Sequence, residues 1–264
     1  MPGWAHALAT PLPETTARML RLDRTHRERS PLGARLSALL RRGVANELRC
    51  EPLVAAANAD LARAATEGAP NDDLALAFAR RLTHEGHAIT DAEFAALLAA
   101  FGPERTTAIV HTIAYANFLC RIVHGLGATD ATPIVGALSE AQAAVDPAKV
   151  PPRRVPDATT VAASEAPATW RRATDEQLDA AQQRQQQRTL RIPLPDDARL
   201  AGLTGRAQQM AAKVAWSRVG YGYQPDLTTS WFQCLYAFYE ESRIDPVFEN
   251  RMFWVVTRTN DCFY

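Results

Sequence analysis

From position 31 to 127, apolar residues recur every three or four positions and strand-like alternation is absent, which predicts a series of helices. Ser30 and Pro31 offer a cap with proline at the first helical position, opening a helix over 32–48. A second helix starts near Glu51. Asn71 caps a third, 72–84, in which Leu74, Leu76, Ala77, Phe78 and Leu82 form an apolar stripe and Asp72 and Asp73 favour the N-terminus. Gly86 ends it. Thr90 and Glu93 have the spacing of a capping box ahead of 94–101, and Gly102-Pro103 breaks the pattern before a long helix over 104–124.

The periodicity fails over 146–187. Pro147, Pro151, Pro152, Pro156 and Pro167 precede a glutamine-rich run with few large apolar residues, the composition of a linker. Trp170 is the one bulky residue there and is placed to dock on a neighbouring domain. Helical patterning returns over 200–218. Gly220 to Pro225 reads as a turn-rich loop, and further helices are predicted over 228–241 and from Pro246 onward. The fold class is therefore all-α.

Composition narrows the function classes. With 264 residues, 47% of them hydrophobic, the chain can form one large or two ordinary domains. Its 29 basic and 29 acidic residues cancel, which removes a general drive toward nucleic acid or anionic lipid, so neither is an expected partner. The N-terminus lacks a secretory pattern and the apolar runs fall short of the ~18 residues a membrane span needs. A soluble, cytoplasmic protein is expected. Cys50, Cys120, Cys234 and Cys262 are too sparse for a secreted disulfide scaffold and lack zinc spacing, so reduced thiols are the default.

Phosphate loops, nucleophile elbows and dinucleotide fingerprints are absent from the sequence. His84 and His87 lie three apart near a helix end without further metal ligands, which favours a helix-dipole role for His84. His111 and His124, thirteen apart on the long helix, share no obvious ligand face. The aromatic group from Tyr221 to Tyr239 fits either a substrate pocket or a packing core. Cys120 and Cys234 sit in apolar stripes, where a cysteine acts as a small hydrophobe, and Cys50 favours the same role.

Three stretches carry a resemblance: Leu76 to Thr83, Ile89-Thr90-Asp91, and Ile113 to Arg121. In order they resemble the downstream half of the carboxymuconolactone decarboxylase and alkylhydroperoxidase D superfamily, all-helical oligomeric proteins that often carry a Cys-x-x-Cys-x-x-x-His redox site. Arg191 to Pro195, Ile244-Asp245-Pro246 and Asn260-Asp261-Cys262 resemble the upstream half of its peroxidase-related branch. The resemblance implies that Cys262 is the first motif cysteine, with the second cysteine and the histidine beyond Tyr264. The proton-relay glutamate of the family falls at Asn250, one position from Glu249, which makes Glu249 the candidate. Overlaid on the same motif, Cys50 takes the first cysteine position, but Leu53 stands at the second and Ala57 at the histidine.

The implied organisation is an N-terminal extension (1–30), a complete but degenerate alkylhydroperoxidase-like helical domain (31–145), a linker (146–190) and the first half of a second such domain (191–264). The helical pattern reaches Tyr264 without a stop signal, so a truncated chain is expected. The resemblance implies a thiol peroxidase that reduces hydroperoxides through a cysteine pair, with Cys262 and Glu249 as site residues, a thiol or disulfide reductant as partner and a homo-oligomeric state. It calls for no cofactor and no metal. A non-catalytic oligomerisation scaffold and a decarboxylase-type activity are the alternatives, and the second lacks an identified basic residue to hold a carboxylate substrate.

Overall fold

The computed structural model describes residues 2–64, 70–128, 174, 176–177, 179–180, 183 and 190–259. Among these the secondary structure is helical and no strand occurs. The helices are α1 (Gly3–Ala9), α2 (Pro13–Glu28), α3 (Gly33–Glu47), α4 (Glu51–Arg63), α5 (Asp72–Glu85), α6 (Asp91–Gly125), α7 (Gly205–Lys213), α8 (Ala215–Tyr223), α9 (Pro225–Glu241) and α10 (Pro246–Thr259). Short 3-10 turns cover Gly86–Ala88 and Asp197–Leu200. Contacts divide the chain into two compact units, one made of Met1–Pro151 with Arg191–Glu241, the other of Pro152–Leu190 with Ser242–Tyr264. Trp170 lies outside the described residues.

Within the first unit, α3, α5 and α6 bury one apolar cluster that includes Leu36, Leu40, Val44, Phe78, Leu97, Ile109 and Ile113. A second cluster gathers Trp4, Met19, Leu20, Leu22, Cys50, Tyr115, Leu119, Cys120, Val123 and Cys234 from α1, α2, the α3–α4 turn, α6 and α9. Helix α6 is bent at Gly102, whose φ of 69° lies in the left-handed region open to glycine, and Pro103 starts its second half. By length and composition α6 meets the criteria of a membrane span, and 61% of its most apolar window is buried against other parts of the protein. The capping box at Thr90 and Glu93 is present, with both reciprocal hydrogen bonds formed.

Several sequence expectations need correction. Residues 1–30 contain two helices, and α2 buries Thr15, Thr16, Asp23, Thr25 and His26 beside its apolar residues. A buried face so rich in polar groups does not register as an amphipathic stripe. Helix α3 begins at Gly33 rather than at Pro31, because Ser30 starts a turn in which Gly33 N donates to its carbonyl at 3.2 Å. Asn71 does precede α5, but in a left-handed conformation and without a side-chain cap. The loop expected over 220–225 is largely helix α8, with Gln224 linking it to α9. Its glycines serve close packing: a Cβ on Gly222 would lie 2.3 Å from Pro195 Cγ, and one on Gly220 would lie 2.8 Å from Thr228 Oγ1. The single helix expected over 200–218 is divided at Val214, whose extended backbone separates α7 from α8.

Helices α2 and α9 run antiparallel in a register set by three polar contacts. Glu241, 7% exposed at the end of α9, accepts hydrogen bonds from Glu14 N at 2.6 Å, Thr15 N at 2.7 Å and Thr15 Oγ1 at 2.7 Å. Thr25 Oγ1 meets Ser230 Oγ at 3.3 Å, and Arg29 Nη1 reaches Asp226 Oδ2 at 3.4 Å. Each step along α2 is matched by an almost equal step back along α9. The Glu241 carboxylate thus does the work of an N-cap for α2, whose own Leu12 offers no side-chain acceptor.

In the second unit, α10 is capped by Asp245, whose Oδ1 accepts from Val247 N at 2.7 Å and Phe248 N at 3.1 Å, with Pro246 at the first helical position.

Replacing Glu241 by alanine leaves two helix N–H groups and a buried hydroxyl without their carboxylate. Glu241→Ala is expected to lower the free energy of urea unfolding by about 3 kcal/mol, with Glu241→Gln losing roughly half of that.

Candidate functional site

Helix α3 closes through Arg49, which adopts the left-handed region at φ 54°, so that Cys50 N turns back to donate to Ala45 O at 2.8 Å. The chain then enters α4 at once. Cys50 is its N-cap residue, and its carbonyl accepts from Leu53 N and Val54 N, each at 3.0 Å. Opposite this turn runs α6, which presents Cys120. Cys50 and Cys120, about seventy residues apart in sequence, lie in the same buried apolar cluster. Both are free thiols and both are fully buried. One turn further along α6, the ring of His124 is exposed and its Nε2 lies 2.9 Å from Leu48 O.

The two sulfurs differ in electrostatic environment. The hydrogen bond from Cys120 lowers the pKa of Cys50; burial opposes this, while the Leu53 N–H at the α4 start and the charge of His124 reinforce it. Cys120 is pushed the other way, first by its hydrogen bond to Cys50, then by burial and by the charge on Cys50, with Arg121 opposing. The two thiols are thus shifted in opposite directions, Cys50 down and Cys120 up. Cys234 belongs to the same apolar cluster, and burial pushes its thiol up to about 12.

Beside the dithiol lies a buried ionic junction of four helices. Asp23 of α2, 0% exposed, accepts from Tyr115 Oη at 2.7 Å and Arg27 Nε at 2.6 Å. Asp60 of α4 receives Arg27, Arg63 and, at 2.9 Å, Arg41 Nη2 of α3. His26 stacks on Tyr115 with ring centroids 4.3 Å apart. Burial works against the charge of Arg27, but Asp23 and Asp60 outweigh it and raise its pKa. Arg41 is lowered by burial and then by Arg27, and Tyr115 is raised by burial and then by Asp23. His26 falls well below its ordinary range through burial, then through His111 and Arg41.

The structure does not gather all the residues singled out from sequence. Cys262 lies outside the described residues. Glu249 is partly exposed in the first turn of α10, where its N–H donates to Asp245 O at 2.9 Å. Leu53 and Ala57 follow Cys50 on α4. His84 pairs with Glu47 Oε2 at 3.0 Å. Of the aromatic group, Tyr221, Phe232 and Tyr236 stack in series, with centroids 5.7 and 5.8 Å apart, around the α8–α9 contact. No group of three or more potential metal ligands occurs among the described residues. The Cys50–Cys120 pair escaped sequence reasoning because no spacing rule links residues so far apart.

Comparison with family models, with curated proteins and with solved structures gives no match.

The histidines give the fold an acid limit. An unfolded chain protonates both rings as pH falls through about 6.5, whereas the folded protein keeps His111, half-buried on α6, neutral down to about 4, and buried His26 neutral well below its ordinary range. The unfolded state binds more protons in that window, so stability declines as the pH is lowered. Unfolding free energies from urea titrations between pH 7 and 4.5 are expected to fall with a limiting slope of up to about 1.4 kcal/mol per pH unit for each ring.

Proposed function

We propose that this protein is a thiol-disulfide redox protein of the alkylhydroperoxidase-like class, and that Cys50 and Cys120 are its reacting pair within the first unit. The observation that carries the reading is the burial in one apolar cluster of a thiol at a helix N-cap and a second thiol from α6. Laid over the redox motif of the resembled family, Cys50 takes the first cysteine position, and in this reading Cys120 supplies from α6 the second thiol that Leu53 cannot.

The chemistry follows from the asymmetry of the pair. The Cys50 thiolate attacks one oxygen of a hydroperoxide, forming an S–O bond as the O–O bond breaks, and the alcohol or water leaves with a proton. Cys120 sulfur then attacks the sulfenic acid of Cys50. The S–S bond forms, the S–O bond breaks, and hydroxide leaves as water with the Cys120 proton. An external dithiol reductant returns the disulfide to two thiols and is itself oxidised. Because both sulfurs are sealed, peroxide enters through local opening. A reducing compartment such as the cytoplasm suits this cycle. Cys262 and Glu249 remain proposed parts of a second site of the same class, and the homo-oligomeric state belongs to the same proposal.

The sealing of both sulfurs favours a second reading, a helical scaffold whose cysteines only pack. The readings separate by experiment. Hydrogen peroxide in modest excess, followed by alkylation, digestion and mass spectrometry, is expected to yield a Cys50–Cys120 linked peptide that a dithiol removes. Cys50→Ser should abolish the link, and Cys120→Ser should leave Cys50 as a trappable sulfenic acid. Closing a loop of about seventy residues is also expected to raise unfolding stability by up to about 4 kcal/mol in the oxidised chain. Free, unlinked thiols after peroxide treatment would leave the scaffold.

A further inference from the structure

Helix α10 of the second unit turns large apolar side chains to solvent. Phe248, Met252 and Val256 recur every four residues and so form one ridge along the helix, with Phe253 beside it. They are 56%, 48%, 51% and 61% exposed. Single apolar residues on a surface are ordinary, whereas a continuous ridge marks a place where something binds. With aromatic side chains worth roughly 150–250 Å² each, these four positions offer on the order of 400 Å² of apolar surface per chain. Two such ridges brought together, with the polar rim that makes up about a third of an interface, cover on the order of 1,200 Å² in total. That clears the roughly 1,000 Å² a specific interface needs.

We propose that α10 is a self-association helix: two copies of this chain pair their α10 helices antiparallel, about a twofold axis near Met252. The inference gives an interface to the homo-oligomeric part of the reading above and rests on that part alone, not on the thiol chemistry. Glu249 decides between a second copy and a lipid surface as the occupant. It stands on the ridge side of α10, one turn before Met252 and Phe253. At a membrane its carboxylate would be pressed toward the acyl boundary and repelled by anionic headgroups. A second copy instead brings an identical ridge, and twofold symmetry matches each residue of one copy to its counterpart on the other. Glu249 also sets the direction of the pair. In a parallel pair the two carboxylates would face each other, whereas the antiparallel pair keeps them at opposite ends, on the wet rim.

Sedimentation velocity on the full 264-residue chain, between about 1 and 100 µM, is expected to show a monomer–dimer equilibrium with a dissociation constant on the order of 10 µM. Met252→Glu places a charge at the axis from both copies and is expected to raise that constant about a hundredfold. Asn250→Glu, on the opposite side of the helix, is expected to leave it unchanged. Because position 252 is half exposed, Met252→Glu should keep its helical signal by circular dichroism; should it not, Val256→Ser on the same ridge is expected to raise the constant about tenfold. A chain that stays monomeric throughout overturns the proposal, as does a dimer that both ridge variants leave intact. Flotation of the chain with phosphatidylserine vesicles, lost in Met252→Glu, would make lipid the occupant and overturn it too. The Cys50–Cys120 link is read within one chain, so its failure leaves the pairing of α10 standing, and a monomer leaves the link standing.

Discussion

Two carboxylates, one buried and one half-buried, hold the first unit in its arrangement. Asp23 and Asp60 sit on α2 and α4, and three arginines and a tyrosine from four helices converge on them. Taking such charges out of water costs several kcal/mol each, a cost offset only when the remaining lone pairs find donors in good geometry. Apolar packing among α2, α3, α4 and α6 would tolerate sliding by a fraction of a turn. The junction does not, because a displaced Asp23 would lose both Tyr115 and Arg27. Its contribution is better described as fixing one register than as adding net stability.

That register reaches the dithiol through covalent continuity. Tyr115 anchors α6 to Asp23, and Cys120 and His124 follow along the same helix. Asp60 anchors α4 through Arg27 and Arg41, and Cys50 is the residue at which α4 begins. The two sulfurs are therefore held by helices whose relative position is set by ion pairs on the far side of Tyr115. Helix α9 adds the outer wall: its antiparallel register on α2, pinned by Glu241 at one end and Asp226 at the other, brings Cys234 into the same apolar cluster.

What could be read in the sequence depended on how purely each helix separates apolar from polar positions. Helices α3, α5 and α6 bury mostly apolar residues, and their periodicity, the Thr90 capping box and the break at Gly102 were all visible in the residues. Helix α2 was hidden because its buried face carries Asp23 and His26, polar groups whose partners come from α6 and from elsewhere in the fold. Helix α8 was hidden for a different reason. Gly220 and Gly222 are signals for a turn when read locally, and only the neighbouring Thr228 and Pro195 reveal that they admit close contact. The candidate site was legible in part: Cys50 could be placed at a motif position, but the second thiol of its buried cluster comes from α6, and linear spacing carries no record of that proximity.

The asymmetry of the two thiols follows from their places on their helices. Cys50 is at a helix start, where backbone N–H groups point along the axis and favour a negative charge. Cys120 is inside α6, where the backbone N–H groups are already spent on the helix ladder and offer a thiolate nothing. Burial raises both, so burial cannot be what separates them. The separation comes from the N-cap position of Cys50 and from the mutual electrostatic influence of the two neighbouring thiols.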